Sequence, residues 1–448
     1  MTHVATQDRN LIIDHALAAA HERFIAAHPE SRRLFEANTR FMPGANSRST
    51  LFAAPFPVTI VRGEAARLWD ADGHCRIDFI GEYSAGVYGH NAPQIREAVM
   101  QAMSDGINLC GHNVYEGRLA QLICERFPSV EQVRFTNSGS EATLMALTTA
   151  RHVTKRSRIA VFRGAYHGGF FTFSDRAAPT NAPYEVLLLD YNATEESVRE
   201  LRNHAADIAA IIVEPMLGAG GCIPATREFL QALRDVSVEI GALLIFDEVM
   251  TSRLGGHGLQ HTLGIRPDLT ALGKYIGGGM SFGAFGGRAD IMAHFDPRSG
   301  TLLHSGTFNN NVISMAAGYA GLTQLYTPQV ADALSQRGEA LRRRLNDVCE
   351  DADVAMQFTG VGSVMNAHFV RGPVLRPSDL TLVDRRLRQL FFHYLLAEGF
   401  YVAARGFIVL SLPLTEQDCD AFVATVRRFI AQYGTLLASS GREKQLVT

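Results

Sequence analysis

One lysine lies in an uncharged, glycine-rich stretch of the chain, LGKYIGGGM at residues 272–280. Apolar surroundings would lower the pKa of the Lys274 amine and leave it free to attack a carbonyl carbon, which is the condition for Schiff-base chemistry. A phosphate loop of the nucleotide-binding kind does not fit, because Tyr275 follows the lysine where Ser or Thr is needed and Asp268 replaces the first glycine. A purely structural lysine is the alternative at this point.

A carboxylate follows a short apolar run. Asp247 and Glu248 come directly after residues 242–246, which have the length and composition of a buried strand. If that strand belongs to a parallel sheet, Asp247 lies at the carboxyl edge, where open α/β sheets bind their ligands. A turn-capping aspartate is the equally simple alternative.

Two glycine-containing loops also follow apolar runs. NSGSEA (137–142) opens an apolar helix, so its free backbone N–H groups are suited to a phosphate, although an ordinary helix cap is the commoner use. GAYHGG (164–169) places an aromatic ring and an imidazole on a loop. Together these features match one cofactor, pyridoxal phosphate. It needs a lysine for its aldehyde, a carboxylate for its ring nitrogen, a phosphate cup and an aromatic face.

The elements that must position these residues form an α/β pattern. Nearly continuous apolar runs at 133–136, 159–162, 208–213 and 242–246 alternate with helical windows, which predicts a mainly parallel sheet covered on both faces. Residues 11–40 predict a helical arm, and the alternating residues 57–79, divided by the turn at 70–73, predict a small antiparallel sheet.

The C-terminal part predicts a smaller α+β unit, with helices at 331–350, 379–398 and 415–436 and strands at 354–358 and 407–412. We therefore expect three regions: an N-terminal arm with a small-domain segment (1–80), a large cofactor-binding domain (81–325) and a C-terminal small domain (326–448).

Several longer strings resemble the class III aminotransferases, which are fold type I pyridoxal-phosphate enzymes. The strings are FTNSGSEA (135–142), IVEP (212–215), LIFDEVMT (244–251) and the block 267–287. The resemblance covers nearly the whole chain and is greatest to the branch that contains glutamate-1-semialdehyde aminomutase. Within that branch the chain is most similar to aromatic β-amino acid (β-phenylalanine) aminotransferases, in the strings MPGANSRS (42–49), GVYGH (86–90), SGTFNNN (305–311) and RGF (405–407).

The resemblance implies a fold type I architecture and a set of cofactor contacts. Lys274 would carry the cofactor as a Schiff base, and Asp247 would pair with the pyridine nitrogen. The full cofactor-binding set that it implies is Ser138, Gly139, Ser140, Tyr166, Glu214, Asp247, Val249, Lys274 and Thr307. Thr307 would reach the phosphate from the partner subunit of a homodimer with shared active sites, and Ser140 stands where the family usually has Thr.

The resemblance also implies substrate contacts. Arg48 and Arg405 would bind substrate carboxylates, which suits a guanidinium because it binds a carboxylate through two parallel hydrogen bonds. Tyr83 would line the pocket for an aryl group, with Tyr88 as a second candidate; core packing is the alternative for both, and surface exposure for the two arginines.

The predicted activity is transfer of the amino group of a β-amino acid, such as β-phenylalanine, to a 2-oxo acid such as 2-oxoglutarate. The rival enzyme is a glutamate-1-semialdehyde 2,1-aminomutase, which uses the same cofactor and needs no amino acceptor. The rival outside enzymology is a non-catalytic α/β phosphate-binding protein, which would carry no chromophore.

Composition limits the remaining partners. Of 448 residues 47% are hydrophobic, and 42 Lys and Arg against 45 Asp and Glu give a net charge of −3, so neither a small stapled module nor a nucleic-acid binder is expected. No apolar run is long enough to span a membrane. Charges from Asp8 to Asp14 interrupt any signal peptide, and the six cysteines lack metal-site spacing. We expect a cytoplasmic protein without a bound metal.

Overall fold

The computed structural model describes residues 6–174, 176–381 and 383–437. This part of the chain contains thirteen α-helices: α1 (Thr6–Ala27), α2 (Pro29–Asn38), α3 (Pro93–Asp105), α4 (Val114–Arg126), α5 (Gly139–Thr154), α6 (Thr194–Asn203), α7 (Arg227–Ile240), α8 (Gly258–Leu263), α9 (Ala289–Met292), α10 (Val312–Ala320), α11 (Pro328–Asp351), α12 (Arg385–Ala397) and α13 (Glu416–Leu437).

The described part of the chain also contains sixteen strands: β1 (Ile60–Glu64), β2 (Arg67–Asp70), β3 (Cys75–Asp78), β4 (Gln132–Thr136), β5 (Arg158–Phe162), β6 (Val186–Leu189), β7 (Ile208–Val213), β8 (Met216–Leu217), β9 (Ile223–Pro224), β10 (Leu243–Asp247), β11 (Leu269–Gly273), β12 (Gly283–Gly287), β13 (Gln357–Val361), β14 (Val364–His368), β15 (Phe400–Tyr401) and β16 (Phe407–Val409).

The predicted α/β sheet is confirmed. Seven strands lie in the order β4-β12-β11-β10-β7-β5-β6, and β12 alone among them runs antiparallel to its neighbours. Every residue of β7 and β10 is buried. Successive residues pack into different apolar clusters, since Leu244 and Phe246 contact one cluster while Leu243 and Ile245 contact the other. Burial on both faces explains why these strands read as continuous apolar runs.

Strand β10 ends one residue later than predicted. Asp247 is its last residue rather than the first residue after it, because Asp247 still pairs in parallel register with Ala271 of β11. The carboxylate nevertheless lies at the carboxyl edge of the sheet, where the sequence predicted it.

The N-terminal helical arm consists of two helices. Pro29 has no backbone N–H to continue α1, and it occupies the first turn of α2, where that group is not needed. The small antiparallel sheet predicted within 57–79 is confirmed, with β2 and β3 on either side of the turn at 70–73. Its order is β1-β2-β3-β15, so a parallel strand from the C-terminal region is added to it.

Several C-terminal boundaries differ from the prediction. The strand expected at 354–358 lies at Gln357–Val361, because the N–H groups of Val354 and Ala355 donate to helix carbonyls. It pairs with β14, which the sequence did not predict, and β16 is shorter than the expected 407–412. Helix α12 begins at Arg385 instead of 379, after the capping side chain of Asp384. The division of the chain at residues 80 and 325 stays a prediction.

Within the described residues, each helix is too short or too polar to cross a lipid bilayer.

Candidate active site

Lys274 is the first residue after β11 and opens a short 3₁₀ turn, Lys274–Gly277. Its φ of 54° lies in the left-handed region, which is uncommon for a residue with a side chain. Burial lowers the pKa of the amine to about 8; the nearby Asp247 carboxylate opposes this shift, while the charges of Arg48 and Arg405 add to it. A lysine in this state is reactive near neutral pH.

Asp247 is held by two hydrogen bonds at the edge of the sheet. Its Oδ2 accepts a hydrogen bond of 2.8 Å from His167 Nδ1, and its Oδ1 accepts one of 3.1 Å from the N–H of Val249. Both the carboxylate and the imidazole are buried. His167 Nε2 is buried without a hydrogen-bond partner in the described parts of the chain. The carboxylate is therefore fixed in orientation and shielded from water.

The first turn of α5 forms a cup of backbone donors. Ser138 caps the helix, since its Oγ accepts a hydrogen bond from the N–H of Glu141 (3.2 Å). The N–H groups of Gly139 and Ser140 have no acceptor within the helix because they belong to its first turn. Gly139 must be glycine, because an added Cβ would lie 2.6 Å from Val249 Cγ1. The loop after β5 closes the cup, where the N–H of Gly169 donates to Ser140 Oγ (3.3 Å).

Glu214 connects the loop of Tyr166 to the sheet. Its carboxyl group accepts hydrogen bonds from the N–H groups of Tyr166 and Gly218, each 2.9 Å. Burial raises the pKa of Glu214 to about 7, and the nearby charge of Asp247 adds to this rise. Tyr166 has an exposed side chain, with 46% of its surface accessible. Its ring is thus free to contact a ligand.

These residues fit pyridoxal phosphate. The amine, the oriented carboxylate and the free N–H groups of the cup are three of the four groups that the cofactor needs, and the exposed ring of Tyr166 is the fourth. Gly139 and Gly168 have no Cβ, and a Cβ at Gly168 would lie 2.4 Å from Ser140 Oγ. The loops can therefore approach closely enough to form the cup.

Two arginines from distant parts of the chain meet at Tyr83. The guanidinium carbons of Arg48 and Arg405 lie 5.4 Å and 5.0 Å from the centroid of the Tyr83 ring. The ring is buried, stacks on Phe407 with a centroid distance of 5.7 Å, and its hydroxyl donates to the carbonyl of Thr50 (2.7 Å). The structure thus brings together three predicted substrate residues, and it places Tyr83 as the common support of the two guanidinium groups.

Tyr83 belongs to a left-handed turn. The φ angles of Gly81, Glu82, Tyr83 and Ser84 are 48°, 46°, 51° and 79°, a run that L-residues rarely adopt. The N–H groups of Ile80 and Gly81 donate to Asp78 Oδ1 on one side of the turn (2.8 and 3.0 Å).

Arg253 holds the other side of this turn. Its side chain is fully buried, and its guanidinium group donates to the carbonyls of Ser84 and Leu410. These contacts from both sides fix the direction in which Glu82 and Tyr83 project.

Thr307 is not part of the cup of its own chain in this structure. It is exposed and lines a surface cavity together with Ile107, Leu109 and Phe308. Its loop is nevertheless connected to the cup, because Asn137 Nδ2 donates to Asn309 Oδ1 (3.0 Å). The predicted role of Thr307 in phosphate binding stays a prediction.

The structure decides one alternative that the sequence left open, that of Tyr88, and it adds residues that sequence reasoning missed. Tyr88 lies in the core against Tyr326 and does not line the site. His167 was visible in the GAYHGG string but received no role, because only the fold brings it to Asp247. Glu82 lies within the region of Arg48 and Tyr83 and had no sequence signal at all. Cys110 and His112 have exposed side chains and line the same surface cavity as Thr307.

A second cluster of metal-ligand side chains lies near the N-terminal arm. Ligand atoms of His28, Asp70 and His74 lie within 4.8 Å of one another. Arg76 donates to Asp70 and also lies 2.8 Å from His28 Nε2, so a guanidinium group already fills the place that a cation would take.

Comparison with known proteins identifies the family. Residues 52–428 match the model of the class III aminotransferases. The chain is 63% identical over 437 residues to the β-phenylalanine transaminase of Variovorax paradoxus, covering 98% of this chain and 99% of that protein. A glutamate-1-semialdehyde 2,1-aminomutase of Geobacillus kaustophilus is 34% identical, over 91% of this chain and 99% of that protein.

A solved structure gives the same answer. The crystal structure of the β-phenylalanine aminotransferase from Variovorax paradoxus superposes with a TM-score of 0.95 and covers 96% of this chain and 100% of the other. The protein belongs to the class III aminotransferases and is a pyridoxal-phosphate-dependent enzyme of fold type I.

Proposed function

We propose that the protein transfers the amino group of a β-amino acid, aromatic and of the β-phenylalanine kind, to a 2-oxo acid such as 2-oxoglutarate. The observation that carries this proposal is the pair of guanidinium groups, Arg48 and Arg405, against one tyrosine ring beside the reactive lysine. A β-amino acid brings one carboxylate and 2-oxoglutarate brings two, so two arginines at one site serve both substrates. The 63% identity to a β-phenylalanine transaminase supports the same substrate class.

The cofactor would be held by residues from four loops at the sheet edge. The N–H groups of Gly139 and Ser140 would bind the phosphate, Asp247 the ring nitrogen, and Val249 and Tyr166 the two ring faces, with Glu214 beside them. When bound, pyridoxal phosphate supplies a carbonyl group for amine exchange and a ring that withdraws electrons from the reacting carbon. Asp247 would keep a proton on the ring nitrogen, and the hydrogen bond from His167 fixes the orientation of the carboxylate for this role.

Lys274 Nζ is the proton carrier of the chain. With a pKa of about 8, a useful fraction of the amine is neutral at physiological pH. The neutral amine would remove a proton from the β-carbon of the substrate and return it to C4′ of the bound cofactor. A lysine of ordinary pKa would be almost entirely protonated and unable to act as this base.

The two arginines divide the work of carboxylate binding. Arg48 binds the carboxylate of the β-amino acid, and Arg405 binds the second carboxylate of the dicarboxylate acceptor. Arg405 lies over the rings of both Tyr83 and Phe407. When a substrate has an aryl group in place of the second carboxylate, that group packs against these aromatic rings.

We also propose that the enzyme is a homodimer with shared active sites and that it is located in the cytoplasm. The exposed Thr307 and its apolar neighbours Leu109 and Phe308 form a surface that suits a partner subunit, and a partner would bring Thr307 to the phosphate. All six cysteines are free thiols, as expected for a protein of a reducing compartment.

The test is a half-reaction without an acceptor. Mixing the holoenzyme with β-phenylalanine should convert the cofactor from its aldehyde form to its amine form, with a change in absorbance, and adding 2-oxoglutarate should reverse it. Lys274→Ala should abolish both the conversion and the trapping of the cofactor by borohydride.

An aminomutase would behave differently. It would leave β-phenylalanine unchanged and would turn over glutamate-1-semialdehyde without any acceptor. Absence of a spectral change with both enantiomers of β-phenylalanine would reject the proposed substrate, and retained turnover in Lys274→Ala would reject the role of the lysine.

A further inference from the structure

Arg48 already has a carboxylate partner within its own chain. Its Nη1 donates a hydrogen bond to Glu82 Oε1. Among the described residues, Glu82 is the acceptor for the Arg48 guanidinium group. Both side chains are accessible to solvent, with 44% of Arg48 and 60% of Glu82 exposed. The contact is therefore open to exchange with a carboxylate from solution.

Glu82 is directed toward Arg48 by the left-handed turn Gly81–Ser84. Asp78 and Arg253 hold this turn from its two sides, so Glu82 does not reach Arg48 merely as a mobile surface side chain. The charge of Glu82 also raises the pKa of Lys274, so the carboxylate acts within electrostatic range of the reactive amine.

Arg405 differs from Arg48 in this respect. Its guanidinium group lies over Tyr83 and Phe407, and its Nε is buried with no hydrogen-bond partner in the described ranges. No carboxylate of the described chain is paired with it. One arginine of the site is thus open, whereas the other is occupied.

We propose that Glu82 is an internal counter-ion of Arg48, which a substrate carboxylate must displace to bind. The inference rests on the proposed function, since it concerns the same carboxylate site. A substrate carboxylate can accept two parallel hydrogen bonds from the guanidinium group, whereas Glu82 accepts one, so a correctly placed carboxylate replaces it and a weaker anion does not. Glu82 is a specificity-determining residue in this sense.

The experiment measures binding of an anion that does not react. The probe is 3-phenylpropionate, which has the carbon skeleton of β-phenylalanine without the amine. Its dissociation constant is determined with the holoenzyme and with Glu82→Gln by calorimetry. We expect about two- to fivefold tighter binding to the variant, which is the size of an exposed ion pair. Glutamine has the same length as glutamate, so we expect an unchanged melting temperature.

Two further variants make the result specific. Glu36→Gln removes an equally exposed carboxylate that pairs with Arg32 on α2 and not with either arginine of the site, and it should leave the affinity for the probe unchanged. In the background of Arg48→Ala, the effect of Glu82→Gln should disappear. The KM for 1-phenylethylamine, an amine with no carboxylate, should not fall in Glu82→Gln, although the KM for β-phenylalanine should.

Unchanged or weaker binding of 3-phenylpropionate to Glu82→Gln would overturn the inference, and weaker binding would mean that Glu82 orients Arg48 instead. This outcome is separable from failure of the proposed function. If the wild-type holoenzyme does not react with β-phenylalanine, the proposed substrate is wrong, while the binding measurement still decides the role of Glu82.

Discussion

At the scale of single residues, the environment of Lys274 determines its chemistry. Burial lowers the pKa of its amine to about 8, and four charged side chains adjust this value in opposite directions. Asp247 and Glu82 raise the pKa, whereas Arg48 and Arg405 lower it. In our proposal these two arginines bind substrate carboxylates. When no substrate is bound, their charges also keep the pKa of Lys274 low and its amine reactive.

This balance predicts a pH profile. The rate at which the apoenzyme takes up pyridoxal phosphate should rise with pH and level off above about 8, because the neutral amine is the reactive form. Arg48→Ala removes a positive charge near the amine, so the midpoint should move to higher pH. The measurement is the absorbance of the bound cofactor after mixing at a series of pH values.

The control for this profile is Arg32→Ala, which removes an exposed arginine paired with Glu36 on α2. It should leave the midpoint where it is. A midpoint that moves to lower pH in Arg48→Ala would contradict the assignment of Arg48 to the surroundings of Lys274.

At the scale of elements, one helix end contributes to stability and, in our proposal, also to phosphate binding. Ser138 caps α5 with its hydroxyl, while the next two residues offer their backbone N–H groups outward. Thr226 caps α7 in the same way, with its Oγ accepting from the N–H of Phe229 (3.1 Å), but no cofactor residue lies in that turn. The two caps form a matched pair.

Removing either cap should lower stability by a similar amount. We expect Ser138→Ala and Thr226→Ala each to reduce the free energy of unfolding by about 1 kcal/mol, seen as a lower melting temperature of the apoenzyme. Ser138→Ala alone should also release the cofactor faster on dilution, because the frayed turn no longer presents its N–H groups. If both variants retained the cofactor equally well, the capping hydroxyl of Ser138 would have no role in cofactor binding.

The sequence predicts those elements whose burial is simple. Strands β7 and β10 are buried on both faces and therefore appear as unbroken apolar runs, and the residues that follow or end them, such as Asp247, are placed by the topology of the sheet. The GAYHGG string shows that a histidine is available, but its pairing with Asp247 depends on how two loops meet in space.

Other features could not be predicted because they depend on tertiary contacts. The left-handed conformation of Glu82 and Tyr83 is unfavourable for their own residue types and exists because Asp78 and Arg253 hold the turn. The N–H groups of Val354 and Ala355 donate to carbonyls at helix ends, so the strand expected at 354–358 begins later in the chain. Neither effect leaves a local pattern in the sequence.

At the scale of the whole molecule, the site combines parts far apart in the chain. Arg48 comes from the region after the arm, Lys274 from the central sheet and Arg405 from the C-terminal region, just before β16. Thr307 is added from a second copy of the chain in our proposal. The site then depends on the fold of one subunit and on the association of two.

Shared sites predict complementation between two inactive variants. Lys274→Ala lacks the reactive amine, and Thr307→Asp would place a carboxylate against the phosphate of the partner subunit. Each variant alone should be inactive. When they are co-expressed, a mixed dimer contains one site with an intact Lys274 and an intact Thr307, so about a quarter of the wild-type activity should return.

The same mixture tests the alternative directly. If Thr307 served the cup of its own subunit, or if the enzyme were a monomer, every site in the mixture would lack one of the two residues. No activity would then return on co-expression, and the proposed exchange of Thr307 between subunits would be wrong.

Arg253 connects the strand that ends at Asp247 to the chain segments near Glu82 and Arg405. It follows β10, which ends at Asp247, and its guanidinium group binds one carbonyl beside the Glu82–Tyr83 turn and another beyond Arg405. Backbone carbonyls are present whatever side chains surround them. We therefore expect the side chains of these two loops to tolerate change without disturbing the sheet, as long as the loop backbones still present their carbonyls to Arg253.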